Sequence, residues 1–440
     1  MNNQHLGSFS TFLLASLASL AHADSHYENG DLQADFGLSS GATFIDSHNV
    51  NFGAGQRDYR SGEVKGERAV WQEAFLKPEA SWRYTLDQDL RLVGGASLVA
   101  AHTFGDGDAG GYTRNSDGKT SLEELYVGIE RGPWRLTLGN QNFRVGTGFI
   151  LADGNLDLLG EGAYWSGPRT AFRDGAILAY RGGALSGQAF SLRNDDDLGG
   201  SRFSGANLDY PFLRGQLGLM ALKVSDVSSQ ANQIAPRSGM QVYNLRWLDG
   251  SFEALPALAI SAEYGLQTGE GEQVNFSAHA WYVRLDYGFA SLPLQPQLTY
   301  RYALFSGDDD PNDNRRKSWD PLSKAYTERG SWVIGDVVGN YLLNDSNERV
   351  HMWRLAGQIV PGLSAGTVYY QFSLDEKNYY GQSVSNRRFA DEAALYLDWA
   401  ASTQLFATLS YNWVKPKAAA REVFGNDTFD ALQLYVGYRF

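Results

Sequence analysis

The sequence predicts an all-β protein: a single transmembrane antiparallel β-barrel of about eighteen strands, with short periplasmic turns and long extracellular loops. Three observations carry this. Runs of about ten residues alternate apolar and polar side chains over most of the chain, the length a tilted strand needs to cross a bilayer. The connections between runs alternate between short turns and long loops. The last run, TFDALQLYVGYRF at 428–440, sets Leu432, Leu434, Val436, Tyr438 and Phe440 on one face and smaller or more polar residues on the other. A strand with one greasy and one wet face, ending on an aromatic residue, is what closes a barrel against lipid.

Composition narrows the field. The 440 residues carry a formal charge of −13, which disfavours nucleic acid as a partner. Aromatic residues make up 13% and there are no low-complexity runs, so disorder is disfavoured. There is no cysteine, which removes disulfides, thiolate nucleophiles and zinc thiolate sites. Residues 9–23 read FSTFLLASLASLAHA, an apolar core followed by the small-x-small sequence Ala21-His22-Ala23. Residues 1–23 are therefore expected to be a cleavable signal peptide, although only the terminal amine is positive there, and 24–440 the barrel. No other stretch approaches the ~20 apolar residues of a membrane helix.

In chain order, good strand candidates are Asp89–Phe104, Ser121–Arg131, Pro133–Phe143, Val274–Phe289, Leu294–Phe305, Gly362–Leu374, Phe389–Trp399 and Thr403–Pro416. Trp134, Leu136 and Leu138 share one face and Arg135, Thr137, Gly139 and Gln141 the other; Trp281, Val283, Leu285 and Tyr287 oppose Tyr282, Arg284 and Asp286 in the same way. Long loops are expected near 51–67, 105–119, 144–170, 225–238, 306–347, 375–387 and 417–427. Aromatic girdles are expected from Trp134, Tyr287, Phe289, Trp399, Tyr438 and Phe440 near the short turns. Phe104, Phe305, Phe372 and Trp413 are assigned to the long-loop side.

LGNQNFRVGTGFILADG (138–154) and GPRTAFRDGAILAY (167–180), SGDDDPNDNRRKSWDPL (306–322), YYQFSLDEKNYY (369–380), FADEAALYLDW (389–399) and PKAAAREVFG (416–425) resemble the alginate-export family of outer-membrane barrels. The likeness runs from about Leu122 to the end. It implies eighteen strands, agreeing with the independent count, and transport of an anionic polysaccharide or related solute. No short-side connection is long enough for a periplasmic plug.

Parity assigns the lumen wall. Arg83, Arg91, Arg135, Arg173, Arg246, Arg284, Arg301, Arg354 and Arg388 are expected inward, as are Glu79, Glu124, Glu130, Glu263, Asp286, Glu392 and Asp398. Eighteen strands enclose a lumen too wide for wall side chains to fill, so water is expected there. Arg135, Arg173, Arg246, Arg284, Arg301 and Arg354, with Glu124, Glu263 and Tyr282, are the candidate solute contacts. Arg284 and Arg301 should stand nearly opposite one another, a costly arrangement unless Asp286 or a solute carboxylate intervenes. Guanidinium binds carboxylates bidentately, and arginine rings serve anion-selective pores.

Other chemistries are weaker. Asp308, Asp310, Asn312 and Asn314 alternate as calcium ligands do, but Asp313 and Trp319 stand where an EF-hand needs Gly and Glu, so a solvated acidic loop is preferred. Gly37-Leu38-Ser39-Ser40-Gly41 matches a nucleophile elbow without a following helix. No cofactor, metal or catalytic residue is assigned. The expected protein is a Gram-negative outer-membrane channel for an acidic polysaccharide or its oligomers. A general or small-carboxylate uptake porin is the alternative, and a non-transporting barrel (anchor, adhesin or lipid-modifying enzyme) a further one. Expected partners are outer-membrane lipid and lipopolysaccharide, and the barrel-assembly machinery through the last strand.

Overall fold

The computed structural model describes residues 25–225, 236–271, 274–310, 312–325 and 337–440. The leader expected at 1–23 lies outside them, as do the centres of the loops at 225–238 and 306–347. Eighteen antiparallel strands form one closed barrel. The first six are β1 (Leu32–His48), β2 (Ala69–Thr85), β3 (Leu90–Gly105), β4 (Gly118–Arg131), β5 (Trp134–Gln141) and β6 (Phe172–Gly182). Then come β7 (Leu185–Arg193), β8 (Arg202–Phe212), β9 (Gly215–Ser225), β10 (Met240–Phe252), β11 (Leu255–Gly271) and β12 (Val274–Gly288). The last are β13 (Gln297–Phe305), β14 (Glu348–Val360), β15 (Leu363–Leu374), β16 (Arg388–Ala400), β17 (Leu405–Pro416) and β18 (Phe429–Arg439).

Closure is made by the terminal strand, as its alternation requires. β18 pairs with β1 from Ser39 opposite Arg439 to His48 opposite Asp430. Leu38 and Phe440 exchange both backbone bonds at 2.8 Å. Below that point β1 overhangs β18, and a short strand, Ser25–Asn29, folds back to pair with Leu32–Phe36. The edge that β18 leaves uncovered is thus hydrogen-bonded rather than open.

Period two places the apolar rows outside. Leu125, Val127, Ile129, Trp134, Leu136 and Leu138 are exposed on the outer surface of β4 and β5, while Thr137 is buried inside. Exposed apolar rows of this kind cost nothing against acyl chains. Loop lengths alternate less strictly than expected. Two long-side connections, 194–201 and 272–273, are short, which the seven loops expected from the sequence omit.

The interior departs from a water-filled tube. The connection between β5 and β6 folds inward and buries Phe143, Phe149, Ile150 and Leu151. The β13–β14 connection adds Trp319, Leu322, Val338 and Leu342, and a helix α1 (Ala418–Val423) adds Ala419 and Ala420. Phe149 packs on Trp319 at 6.1 Å, Phe305 at 5.6 Å and Tyr282 at 5.3 Å between centroids. Each such ring, moved out of water, contributes about 1.5–3 kcal/mol. Phe305 and Phe372, assigned above to a girdle, are accordingly buried inside the barrel. They fall on the inward row, where the infolded loops give them apolar partners. The outer half of the lumen is therefore narrowed by loops from the extracellular side.

Candidate functional site: the lumen wall and its infolded loops

Three expected residues meet on β10–β12. Arg246 stands opposite Glu263 in register, and Glu263 opposite Tyr282. Glu263 accepts bonds from Tyr282 Oη at 3.1 Å, Asn244 Nδ2 at 3.0 Å and Thr147 Oγ1 at 3.0 Å. Arg246, fully buried, donates to Asn244, Asn207 and Asp209. It also packs so close to Gly146 that a side chain there would strike its guanidinium stem, and Gly146 has φ +54° besides. These residues hold the 142–171 loop against the wall; none faces free lumen.

The expected arginine pair exists, and Arg284 is already neutralised. Arg284 and Arg301 are direct partners across β12 and β13. Arg284 grips Asp286 through Nε at 2.7 Å and Nη2 at 2.9 Å, and Thr299 Oγ1 donates to the same carboxylate at 2.6 Å. Arg354 on β14 extends the network to Thr299 at 3.3 Å and Gln297 at 3.1 Å. Arg301 is 2% exposed. Arg301 is thus withdrawn from solvent and braces the wall, while Arg284 and Arg354 keep part of their surface and are tied into the same network.

The exposed guanidinium lies across the barrel, near the short turns of β2–β5. Glu130 is shared by Arg83 at 3.6 Å and Arg135 at 3.3 Å, and both arginines keep about half their surface, 48% and 41%. Arg91 is the register partner of Glu130. Arg439 pairs with Glu79 at 3.2 Å beside this group. Of the nine expected inward arginines, Arg388 is misassigned. A bulge at Phe389 places it opposite Ser373, on the outward row.

Arg173 and Glu124 serve loops instead of lumen. Arg173 bonds the Glu123 carbonyl at 2.9 Å and pairs with Asp195 at 3.2 Å, leaving it 12% exposed. Glu124 accepts from Ser97 Oγ at 3.1 Å and from the Asn142 amide at 3.2 Å. Its neighbour Glu123 was missed by parity. A bulge between Ser97 and Leu98 turns both inward. Glu123 then accepts the successive amides of Thr170 at 2.7 Å and Ala171 at 2.6 Å. Glu73 repeats the device with Trp165 at 3.2 Å and Ser166 at 2.7 Å, and Glu392 with Val337 and Val338, both at 3.0 Å. Three wall glutamates each clasp two consecutive loop amides, satisfying donors that an infolded loop would otherwise strand. The adjacent pair Glu123-Glu124 was the available signal, since strict alternation cannot turn both inward.

Charges in the loops are shaped by their surroundings. Arg114 holds the Asp58 carboxyl well below its usual range. Burial pushes Asp153 up to about 8 and Asp197 up to about 6. Asp308, Asp310 and Asp313 accept amides of Asp310, Asn312 and Arg315 two residues on, capping their own turns. Among the described residues no three His, Asp or Glu side chains are grouped to hold a metal ion.

Residues 239–378 match the family model for alginate export. Over that segment the chain is alginate-export-like, and the resemblance read from the sequence is shown there. The match contains the acid-rich stretch 306–322 and most of 369–380; the motifs at 138–180 and after 388 fall outside it. No curated protein matches the chain significantly. Solved structures with this fold include OccAB2 of Acinetobacter baumannii, at 11% identity and TM-score 0.61, covering 92% of this chain and 98% of that one. A BenF-like porin from Pseudomonas fluorescens Pf-5 has 13% identity, TM-score 0.61 and the same coverages. Pseudomonas aeruginosa OpdK, solved with vanillate, has 15% identity and TM-score 0.58, again covering 92% and 98%. At these identities the likeness is one of fold: an outer-membrane porin barrel.

Proposed function

We propose that this chain is an outer-membrane channel passing an anionic solute, with an alginate-like acidic polysaccharide or its oligomers as the first candidate. The observation that carries the reading is Glu130 shared between Arg83 and Arg135, with Arg91 opposite, all on the inward face. One carboxylate cannot neutralise that much guanidinium, and the residual positive charge faces water, where it attracts carboxylates. The alginate-export match supports the same class of solute. The reading includes a Gram-negative outer membrane, a cleaved leader at 1–23, contact with lipopolysaccharide, and insertion through β18. It includes no enzymatic step.

The test is charge removal where folding is least at risk. Changing Arg83, Arg91 and Arg135 together to Gln should move the reversal potential in planar bilayers toward cations, more at low than at high salt. An unmoved potential in a well-folded triple variant would sink the anionic reading. Small-carboxylate uptake is the second reading, favoured by the infolded loops that narrow the outer lumen. It is also favoured by the fold shared with OpdK, whose structure holds vanillate. Long, length-dependent current blocks by oligouronates support the polymer; brief permeation of benzoate-sized acids without such blocks supports uptake.

A further inference from the structure

The infolded loops and the other long loops together line a vestibule of about 1510 Å³. That exceeds the roughly 300–1,000 Å³ of a pocket for one small molecule. Its wall carries a continuous run of rings. Centroids step from Tyr59 to Tyr112 at 5.3 Å, to Tyr164 at 4.7 Å, to Trp165 at 5.7 Å and to Tyr341 at 5.8 Å. All five line the same cavity, although they come from four loop segments distant in sequence. Rings gathered only to fill a core are buried, yet Tyr59 is 43% exposed and Tyr112, Tyr164 and Trp165 are partly exposed. The hydroxyls of Tyr112 and Tyr164 make no hydrogen bond to the protein among the described residues. Arg57, in the same wall, has no carboxylate partner among the described residues.

A pyranose presents C–H-rich faces that pack on aromatic rings and hydroxyls that bond phenolic groups, while a uronate adds a carboxylate that guanidinium binds in two places. We propose that this vestibule is a binding platform for a run of acidic sugar residues, stacked on Tyr59, Tyr112, Tyr164 and Trp165 and paired through Arg57. The inference rests on the channel reading and gives it an extracellular subsite. A single aromatic acid would occupy one ring; a run of four suits a chain.

The test is current blocking in planar bilayers by an oligouronate, a neutral oligosaccharide of equal length, and benzoate, each added from the loop side. Tyr59→Ala and Tyr112→Ala should each shorten oligouronate residence about three- to tenfold, and Tyr59→Trp should preserve it. Arg57→Gln should erase the preference for the oligouronate over its neutral counterpart. Unchanged residence in Tyr59→Ala overturns the platform; that exposed residue supports no core, and unaltered conductance confirms that the variant is folded. Equal shortening for benzoate overturns the sugar class. No oligouronate block of the unaltered protein from either side overturns the channel reading itself, whereas block that is lost on changing Arg83, Arg91 and Arg135 but not the tyrosines overturns only the platform.

Discussion

Arg284 and Arg301 face one another across β12 and β13, and Asp286, two residues along β12, clasps Arg284 with both carboxylate oxygens at 2.7 and 2.9 Å. Two like charges are thus tolerated on neighbouring strands because one is neutralised in place. Sequence alone allowed either a waiting solute site or a brace. The bond geometry favours the brace.

Changing Arg284 to Gln should therefore act on stability. Asp286 is 3% exposed and would keep the Thr299 hydroxyl but no countercharge, so the loss should be about 3 kcal/mol, the usual cost of orphaning a buried charge. Urea unfolding of the barrel in lipid vesicles measures it, and ion selectivity should stay put. Changed selectivity with unchanged stability would return Arg284 to the pore.

The wall glutamates predict a separable effect on the lumen. Removing Glu73 strands the amides of Trp165 and Ser166, at about 1–3 kcal/mol per buried unsatisfied group. Glu73→Ala should loosen the 142–171 loop without opening the barrel. Single-channel conductance should rise and become noisier, and a quiet channel of normal conductance would show that the loop is held by its apolar contacts alone.

Loop stability should depend on pH through Asp153. Its carboxyl titrates near 8 in the folded loop, above an unfolded value of about 4, so the folded state binds the proton more tightly. The contribution is complete below pH of about 4 and is lost as pH rises through 8. Hydrogen exchange at Asn155, whose amide bonds Asp153 at 3.0 Å, should accelerate from pH 6 to pH 9 beyond the intrinsic chemical rate. Asp153→Asn should flatten that excess; if it does not, the dependence belongs to another group.

Assembly should depend on Phe440. Its amide and carbonyl both bond Leu38 and its ring joins the lipid-facing row. Phe440→Asp should lower the amount of heat-modifiable barrel in the outer membrane several-fold. Normal amounts would mean that closure is directed from elsewhere.

The sequence by itself determined the barrel, its strand number, its closing strand and which side chains face lipid, because period two reports one local fact, the side of the sheet, and every strand repeats it. Trp134, Leu136 and Leu138 needed no partner to be placed. It also put Arg284 opposite Arg301, since a short turn fixes register. What only the tertiary structure decided is the content of the lumen. Loops 142–171 and 306–347 carry no period, and the burial of Phe149 and Trp319 follows from their contact with each other, more than 150 residues apart in sequence. Two bulges, at Glu123 and at Phe389, shifted parity locally, so Glu123 turned in and Arg388 turned out. Which arginines stay exposed was decided there too: Arg246 and Arg301 are covered, and Arg83 and Arg135 are not, because solvent access depends on what folds over a residue and not on which side of its strand it lies.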